Sequence, residues 1–548
     1  MPQIFSDHMV LQREMPVRVW GWADAGEQVR VSFAGQQVET VTGADKRWQV
    51  MLKKMPAEAA PQTLTIQGRN TVRFTDVLVG EMWVCSGQSN MERLLEQTVY
   101  SDADLASAQD EQMRYFHVLP ATSVTPQEDV QRWDPEGWTV STPERALKFS
   151  AVCFYFGREL RKHLGIPIGL IDSTKGGTRA QIWTSLGAIQ EDVNADPQFS
   201  QWLEQRDLVV KNLAERSREY PGKKAEYDQE LATWTEKIDA DPIYVAEKKH
   251  WEAELEQAQK NGTEWPSEPK PPLPKPVEPP LPDDGPYSTF MVGNLYNAMI
   301  APLTNLSIRG VLWYQGETND KNAPQYKVLF PLLITDWRQH WNEGNFPFLF
   351  VQLPNIHRPQ TQPVQDEDLW PWMREAQQDA LALPNTAMAV TIDIGDPWNV
   401  HGKDKRDIGI RLSLLARRKV YGENLVAEGP MFRSMRVRGD HIELKFGEAG
   451  SGLAIGVPPW TPTAVIPPPA SELRSFAIAG EDHRWHWASA RIHGDKVIVS
   501  SSEVSRPIAV RYAWADNPSC NLYNREKLPA APFRTDDWQN TATVPVVR

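Results

Sequence analysis

Four short stretches of this chain carry polar residues directly after apolar runs, and together they contain the parts of a nucleophilic hydrolase. Gly87-Gln88-Ser89-Asn90 follows the run EMWVCSG (81–87) and precedes a helical segment near MERLLEQ. A serine on a strand-to-helix turn exposes its hydroxyl at a sheet edge, and the first N–H groups of the helix can hold an oxyanion. The same serine can equally serve as the helix cap. A serine hydroxyl is a weak nucleophile and needs a base, and the base needs a partner that fixes its tautomer. The stretch Asp393-Ile394-Gly395-Asp396-Pro397-Trp398-Asn399-Val400-His401 supplies a histidine with carboxylates nearby, giving the chain order Ser, Asp, His. Between these two lie Asp172-Ser173-Thr174-Lys175-Gly176-Gly177-Thr178 and Trp313-Tyr314-Gln315-Gly316-Glu317-Thr318-Asn319. Paired glycines after a strand allow close backbone approach to a ligand or make an ordinary tight turn. A Gln or Asn amide in the second stretch can donate to an oxyanion or belong to a closed hydrogen-bonded loop.

The elements that must position these residues are legible in the hydrophobic pattern. Five apolar runs, EMWVCSG (81–87), IPIGLID (166–172), IRGVLWY (308–314), FPFLFVQL (346–353) and AMAVTID (387–393), alternate with helical segments. One such segment follows Ser150, with Val152, Phe156, Leu160 and Leu164 recurring every four residues. This alternation predicts a mostly parallel sheet covered on both faces. In such sheets ligands bind beyond the carboxyl ends of the strands, where all four polar stretches fall.

The catalytic pattern is flanked and interrupted. Residues 1–78 read as short strands separated by turns, an N-terminal β-sandwich. Residues 79–186 and 286–425 form the two parts of the α/β domain. Residues 187–285 are an insertion, first charged and helical (RDLVVKNLAERSREY, EKKHWEAELEQAQK), then proline-rich (EWPSEPKPPLPKPVEPPLPDDGP), with the character of a semi-rigid spacer. Residues 426–548 read as a C-terminal β-domain.

The composition narrows the function. A chain of 548 residues with 41% hydrophobic and 24% charged residues is an ordinary globular protein of several domains. Its net charge of −13 argues against a nucleic-acid surface. No apolar run reaches the ~18 residues of a membrane span. The segment MPQIFSDHMVLQRE does not read as a signal peptide. Three cysteines, Cys85, Cys153 and Cys520, allow at most one bridge and read most simply as small buried side chains. The 22 tryptophans are core residues or sugar-stacking platforms.

The segments IFSDHMVLQRE, GEMWVCSGQSNM (80–91), IGLIDSTKGGTRAQIW (168–183), LYNAMIAPL (295–303), VLWYQGETN (311–319) and IDIGDPWNVHGKDK (392–405) resemble the sialate O-acetylesterases, members of the SGNH hydrolases, as does the tail at 510–538. The resemblance implies a flavodoxin-like α/β hydrolase domain with accessory β-regions. It implies hydrolysis of O-acetyl esters on carbohydrates through an acetyl-enzyme, with no metal or organic cofactor. By position it implies Ser89 as nucleophile and His401 as base. The Ser89 N–H, the N–H of Gly176 or Gly177, and the Gln315 side chain are the implied oxyanion donors. The superfamily's usual Asp, three residues before the His, is Trp398 here. Asp396 is the expected orienting carboxylate, with Asp393 or a backbone carbonyl as alternatives.

The expected partner is thus an acetylated carbohydrate, either a sialic acid or a plant polysaccharide such as xylan or xyloglucan. No nucleic acid or membrane partner is expected, and the native precursor is expected to be secreted or periplasmic. Arg179 and Lys175 lie near enough to meet a sugar carboxylate, and the insertion is placed to wall or cover the cleft. The competing readings are a non-catalytic carbohydrate-binding protein and a lipase- or peptidase-type serine hydrolase.

Overall fold

The computed structural model of the chain describes residues 1–261, 263, 266–279, 291–365, 367–456 and 472–538. The proline-rich stretch at 280–286, and with it the expected boundary at 285, lies outside the described residues. The protein is a mixed α/β molecule built on a large central sheet. No helix among the described residues is long and apolar enough to cross a membrane.

The spine of the molecule is one long strand. Strands β1 (Val10–Gln12), β2 (Val17–Trp22), β3 (Gln28–Phe33), β4 (Gln36–Val41), β5 (Arg47–Leu52) and β6 (Glu58–Gln67) lead into β7, which spans Thr71–Gly87. The first half of β7 pairs antiparallel with β6. Its second half enters the central sheet, where it pairs in parallel with β10 (Ile168–Thr174) and β11 (Gly310–Tyr314). The change is visible in burial: Thr71–Asp76 alternate between exposed and half-buried, whereas Val77–Gly87 are all buried. A strand with neighbours on both edges and cover on both faces reads as a continuous apolar run.

The sheet continues outward through β8 (Asp110–Val118) and the antiparallel β9 (Thr139–Ser141) on one side. On the other it continues through β12 (Phe348–Val351) and β13 (Thr386–Ala389), giving the order β13–β12–β11–β7–β10–β8–β9. Alternate residues of each strand meet different cores. Trp83, Cys85, Leu312, Tyr314, Leu349 and Val351 pack with helices Ala151–Leu164 and Arg406–Lys419. Val84, Val311, Trp313, Phe348 and Phe350 pack with helix Ala323–Trp341, whose Phe330, Ile334 and Trp337 are fully buried. Two-residue periodicity on the strands therefore presents one apolar set to each covering layer.

Cys85 and Cys153 form a disulfide between β7 and the helix that follows Ser150. This corrects the reading of all three cysteines as free. Strand and helix face each other across the core, which brings the two Cα atoms within 6.2 Å, inside bridging range. Cys520 alone is free and buried.

The insertion folds into helices Pro197–Lys211, Leu213–Asp239 and Pro242–Asn261. Its ties to the body include Arg206 to the Val124 carbonyl and Gln325 to Asp196. No hydrogen bond among the described residues joins these helices to the loops bearing Ser89 or His401. The C-terminal region is strand-rich, with a four-stranded sheet around His441–Gly447 and another around Phe476–Gly480 and Pro507–Tyr512.

Candidate active site

Ser89 opens a single helical turn, Ser89–Glu92, at the carboxyl end of β7. The turn between strand and helix requires Gly87. Its φ is +133°, and a Cβ there would lie 2.2 Å from the Tyr314 carbonyl oxygen on the neighbouring strand. The same carbonyl accepts from the Gln88 N–H at 3.0 Å, and the Lys175 N–H donates to the Gly87 carbonyl at 3.1 Å. Three consecutive strand ends are thereby stitched around the serine.

His401 reaches this point from the loop after β13. Its Nε2 lies 2.9 Å from Ser89 Oγ, the distance a proton transfer needs. The loop is shaped by its own side chains: Asn399 Oδ1 accepts from the His401 N–H, and Asp396 Oδ1 accepts from the Trp398 N–H, each at 2.9 Å. Partial burial, followed by the cations Arg93 and Lys405, pushes the imidazole pKa down to about 4. Burial disfavours a charged ring, and nearby positive charge disfavours it further. The histidine is therefore a neutral acceptor at ordinary pH.

The candidates for orienting His401 separate clearly. Asp393 is bound in a two-pronged ion pair with Arg411 at 2.6 and 2.8 Å, and also accepts from the Tyr523 hydroxyl. It ties helix Arg406–Lys419 to the C-terminal region. Asp396 is buried in the histidine loop, where its Oδ1 accepts from the Trp398 N–H.

The expected oxyanion donors are arranged differently from expectation. Among the described residues no acceptor occupies the Ser89 or Gly177 N–H. Gly176 abuts Ser89: a Cβ there would sit 3.3 Å from Ser89 Cβ. Its N–H donates to Glu92 Oε2 at 2.8 Å, so a carboxylate oxygen occupies this N–H. Gln315 is fully buried, and its Nε2 donates to Gln88 Oε1, the Thr178 carbonyl and Asn319 Oδ1 at 3.1, 3.1 and 2.8 Å. Three acceptors saturate an amide with two hydrogens. Gln315 thus points into a loop network, not at Ser89. Gln88 Oε1 also receives the Thr318 N–H and hydroxyl, which makes Gln88 the organiser of the loop after β11.

Arg179 is half-buried, its Nε donating to the Thr318 carbonyl at 3.1 Å. Sequence reasoning passed over Gln88, Asn90, Glu92, Glu317 and Lys405. Gln88, Asn90 and Glu317 lie inside the polar stretches singled out above, and Glu92 and Lys405 a few residues beyond them, but nothing in the sequence says which of them touch.

A hydroxyl and a neutral imidazole in contact at the carboxyl edge of a parallel sheet are the arrangement that α/β serine hydrolases use. Residues 285–413 match the family profile described as carbohydrate esterase, sialic acid-specific acetylesterase. Sialate O-acetylesterase of Rattus norvegicus is 29% identical over 573 residues, covering 96% of this chain and 92% of that protein. The Homo sapiens protein of the same name is also 29% identical, with 96% and 91% covered. A crystal structure of a carbohydrate acetylesterase from Xanthomonas citri superposes with a TM-score of 0.74 at 32% identity, over 98% of this chain and 99% of that one. The chain belongs to this family of carbohydrate esterases, the sialate O-acetylesterases.

Proposed function

We propose that this esterase removes O-acetyl groups from carbohydrates through an acetyl-enzyme on Ser89. The observation that carries the reading is the 2.9 Å contact between Ser89 Oγ and His401 Nε2. Neutral His401 takes the hydroxyl proton as Oγ attacks the acetyl carbonyl. The proton then passes to the sugar oxygen as it leaves, and water, activated by the same imidazole, releases acetate. Ser89 N–H and Gly176 N–H receive the oxyanion, the acetyl oxygen taking the place that Glu92 Oε2 holds in the free enzyme. Gln315 acts indirectly, by fixing the loop that carries it. Asp396 fixes the histidine loop.

The scaffold that this reading fits is the SGNH three-layer hydrolase, with an N-terminal β-sandwich and a C-terminal β-domain around it. The Cys85–Cys153 disulfide supports a secreted or periplasmic setting, since such bonds persist in oxidising compartments. Arg93, Lys175 and Arg179 around the site favour an acidic sugar such as an acetylated sialic acid over a neutral polysaccharide.

The test is acetate release by wild type, Ser89→Ala and His401→Ala from acetylated sialic acids, xylan, xyloglucan and pectin. Each variant is expected to lose at least ~10³-fold in kcat/KM, and sialic acids are expected to be the best substrates. Full activity in Ser89→Ala overturns the mechanism, and a preference for xylan overturns the substrate assignment.

A further inference from the structure

Beneath the Ser89–His401 pair lies a second polar cluster that the reaction as described does not use. Asn90, the residue after the nucleophile, is fully buried. Its Oδ1 accepts from Lys405 Nζ, and its Nδ2 donates both to Glu317 Oε1 and to the Val400 carbonyl, the latter at 3.0 Å. Asn90 and these partners come from three separate segments: the turn that opens with Ser89, the loop after β11, and the histidine loop with the start of its following helix. Val400 immediately precedes His401.

The chemistry of the cluster fixes how the amide must sit. A buried ammonium can only donate and a carboxylate can only accept, so Lys405 claims the amide oxygen and Glu317 claims the amide nitrogen. The second Nδ2 hydrogen is then directed at the Val400 carbonyl. The Asn90 amide has one orientation, and that orientation grips the residue beside the base. Lys405 Nζ is further held over the Tyr314 ring at 5.3 Å.

We infer that Asn90, Glu317 and Lys405 are positioning residues for the esterase reaction, forming a buried clamp that sets the distance between Ser89 and His401. The inference rests on the Ser89–His401 reading above. A buried ion pair by itself contributes little to fold stability, and well-packed apolar replacements often do as well. Here the pair instead specifies the geometry of one amide and, through it, of two loops.

The charges also act on the base. The groups bearing on His401 are Arg93 at the end of the nucleophile turn and Lys405 in its own segment. Those bearing on Lys405 are Glu317, Arg93 and Asp404. Burial, outweighing Glu317, lowers the Lys405 pKa to about 7. The cation therefore faces the imidazole throughout the acid range.

The test compares Asn90→Ala and the charge-free double variant Glu317→Gln/Lys405→Met with wild type, measuring kcat, KM, the pH profile and thermal unfolding. Losing the clamp is expected to lower kcat by about 10- to 100-fold, with KM within about twofold of wild type. In the double variant the acid limb of kcat/KM is expected to move up by roughly half a pH unit, because no Lys405 cation opposes His401 protonation. A role confined to fold stability would lower the melting temperature and leave kcat of the folded variant at the wild-type value. If Asn90→Ala fails to fold, the double variant, which buries no unpaired charge, decides the question. Wild-type kcat in a folded double variant overturns the clamp, wherever the acid limb lies. The parent reading fails separately, if Ser89→Ala keeps its activity.

Discussion

Lowering the pH from 7 to 5 distinguishes this site from one with an ordinary histidine. An imidazole of ordinary pKa, near 6.5, is only about 3% neutral at pH 5, and an enzyme dependent on it would lose most of its kcat/KM. His401, held at about 4 by burial, Arg93 and Lys405, is about 90% neutral at pH 5 by the same titration law. The sign follows from the direction of the shift. A base whose pKa is depressed keeps its accepting form further into acid, and activity is lost only as pH falls through about 4. Because kcat/KM reports the free enzyme, the assay is direct detection of released acetate at sub-saturating substrate between pH 3.5 and 8. The expected value at pH 5 lies within about twofold of that at pH 7. Arg93→Gln removes one of the two cations, and its acid limb should lie higher than that of wild type. An acid limb centred between pH 6 and 7 in wild type would refute the reasoning.

Three further outcomes follow from the geometry. Gly176→Ala places a methyl carbon 3.3 Å from Ser89 Cβ and 2.6 Å from Glu92 Oε2, so kcat should fall by about 10²- to 10³-fold, as for loss of an oxyanion donor, with the melting temperature little changed; unaltered kcat would remove Gly176 from the site. Asp396→Asn should lower kcat by roughly 10- to 100-fold if Asp396 acts by shaping the loop through the Trp398 N–H; a ~10⁴-fold loss, as for a carboxylate that sets the tautomer, would make it the group that orients the imidazole. Replacing both Cys85 and Cys153 by Ala opens a bridge spanning 68 residues and should lower unfolding stability by about 4 kcal/mol in urea titration.

Much of this site was legible because its chemistry is local. Ser89, Gly176, Gln315 and His401 each follow an apolar run, and the rule that ligands gather at strand ends joins them without any structure. What the sequence could not convey is which polar groups meet. Gln315 and Asn90 are both amides beside strand ends, and only packing shows that Gln315 is saturated within its own loop while Asn90 spans to residues 227 and 315 positions away. The Cys85–Cys153 bond was missed for the same reason: it depends on how a helix lies on a sheet, which spacing does not encode. The boundary expected at 78 falls within β7, a single strand from Thr71 to Gly87, because the change in burial along it reads as a change of element. The sequence favoured Asp396 over Asp393 as the partner of His401 but did not show what Asp393 binds. The Arg411 pair that occupies Asp393 comes from the next helix.

The central claim is that the Ser89 hydroxyl, activated by His401, is the nucleophile. It is tested most directly with a fluorophosphonate, which traps an activated serine as a stable phosphonyl ester with loss of fluoride, followed by peptide mapping. Stoichiometric loss of esterase activity is expected, with the label on Ser89 in wild type and no label in His401→Ala. Inactivation with the label on another residue, or continued acetate release from an enzyme fully labelled at Ser89, would contradict it.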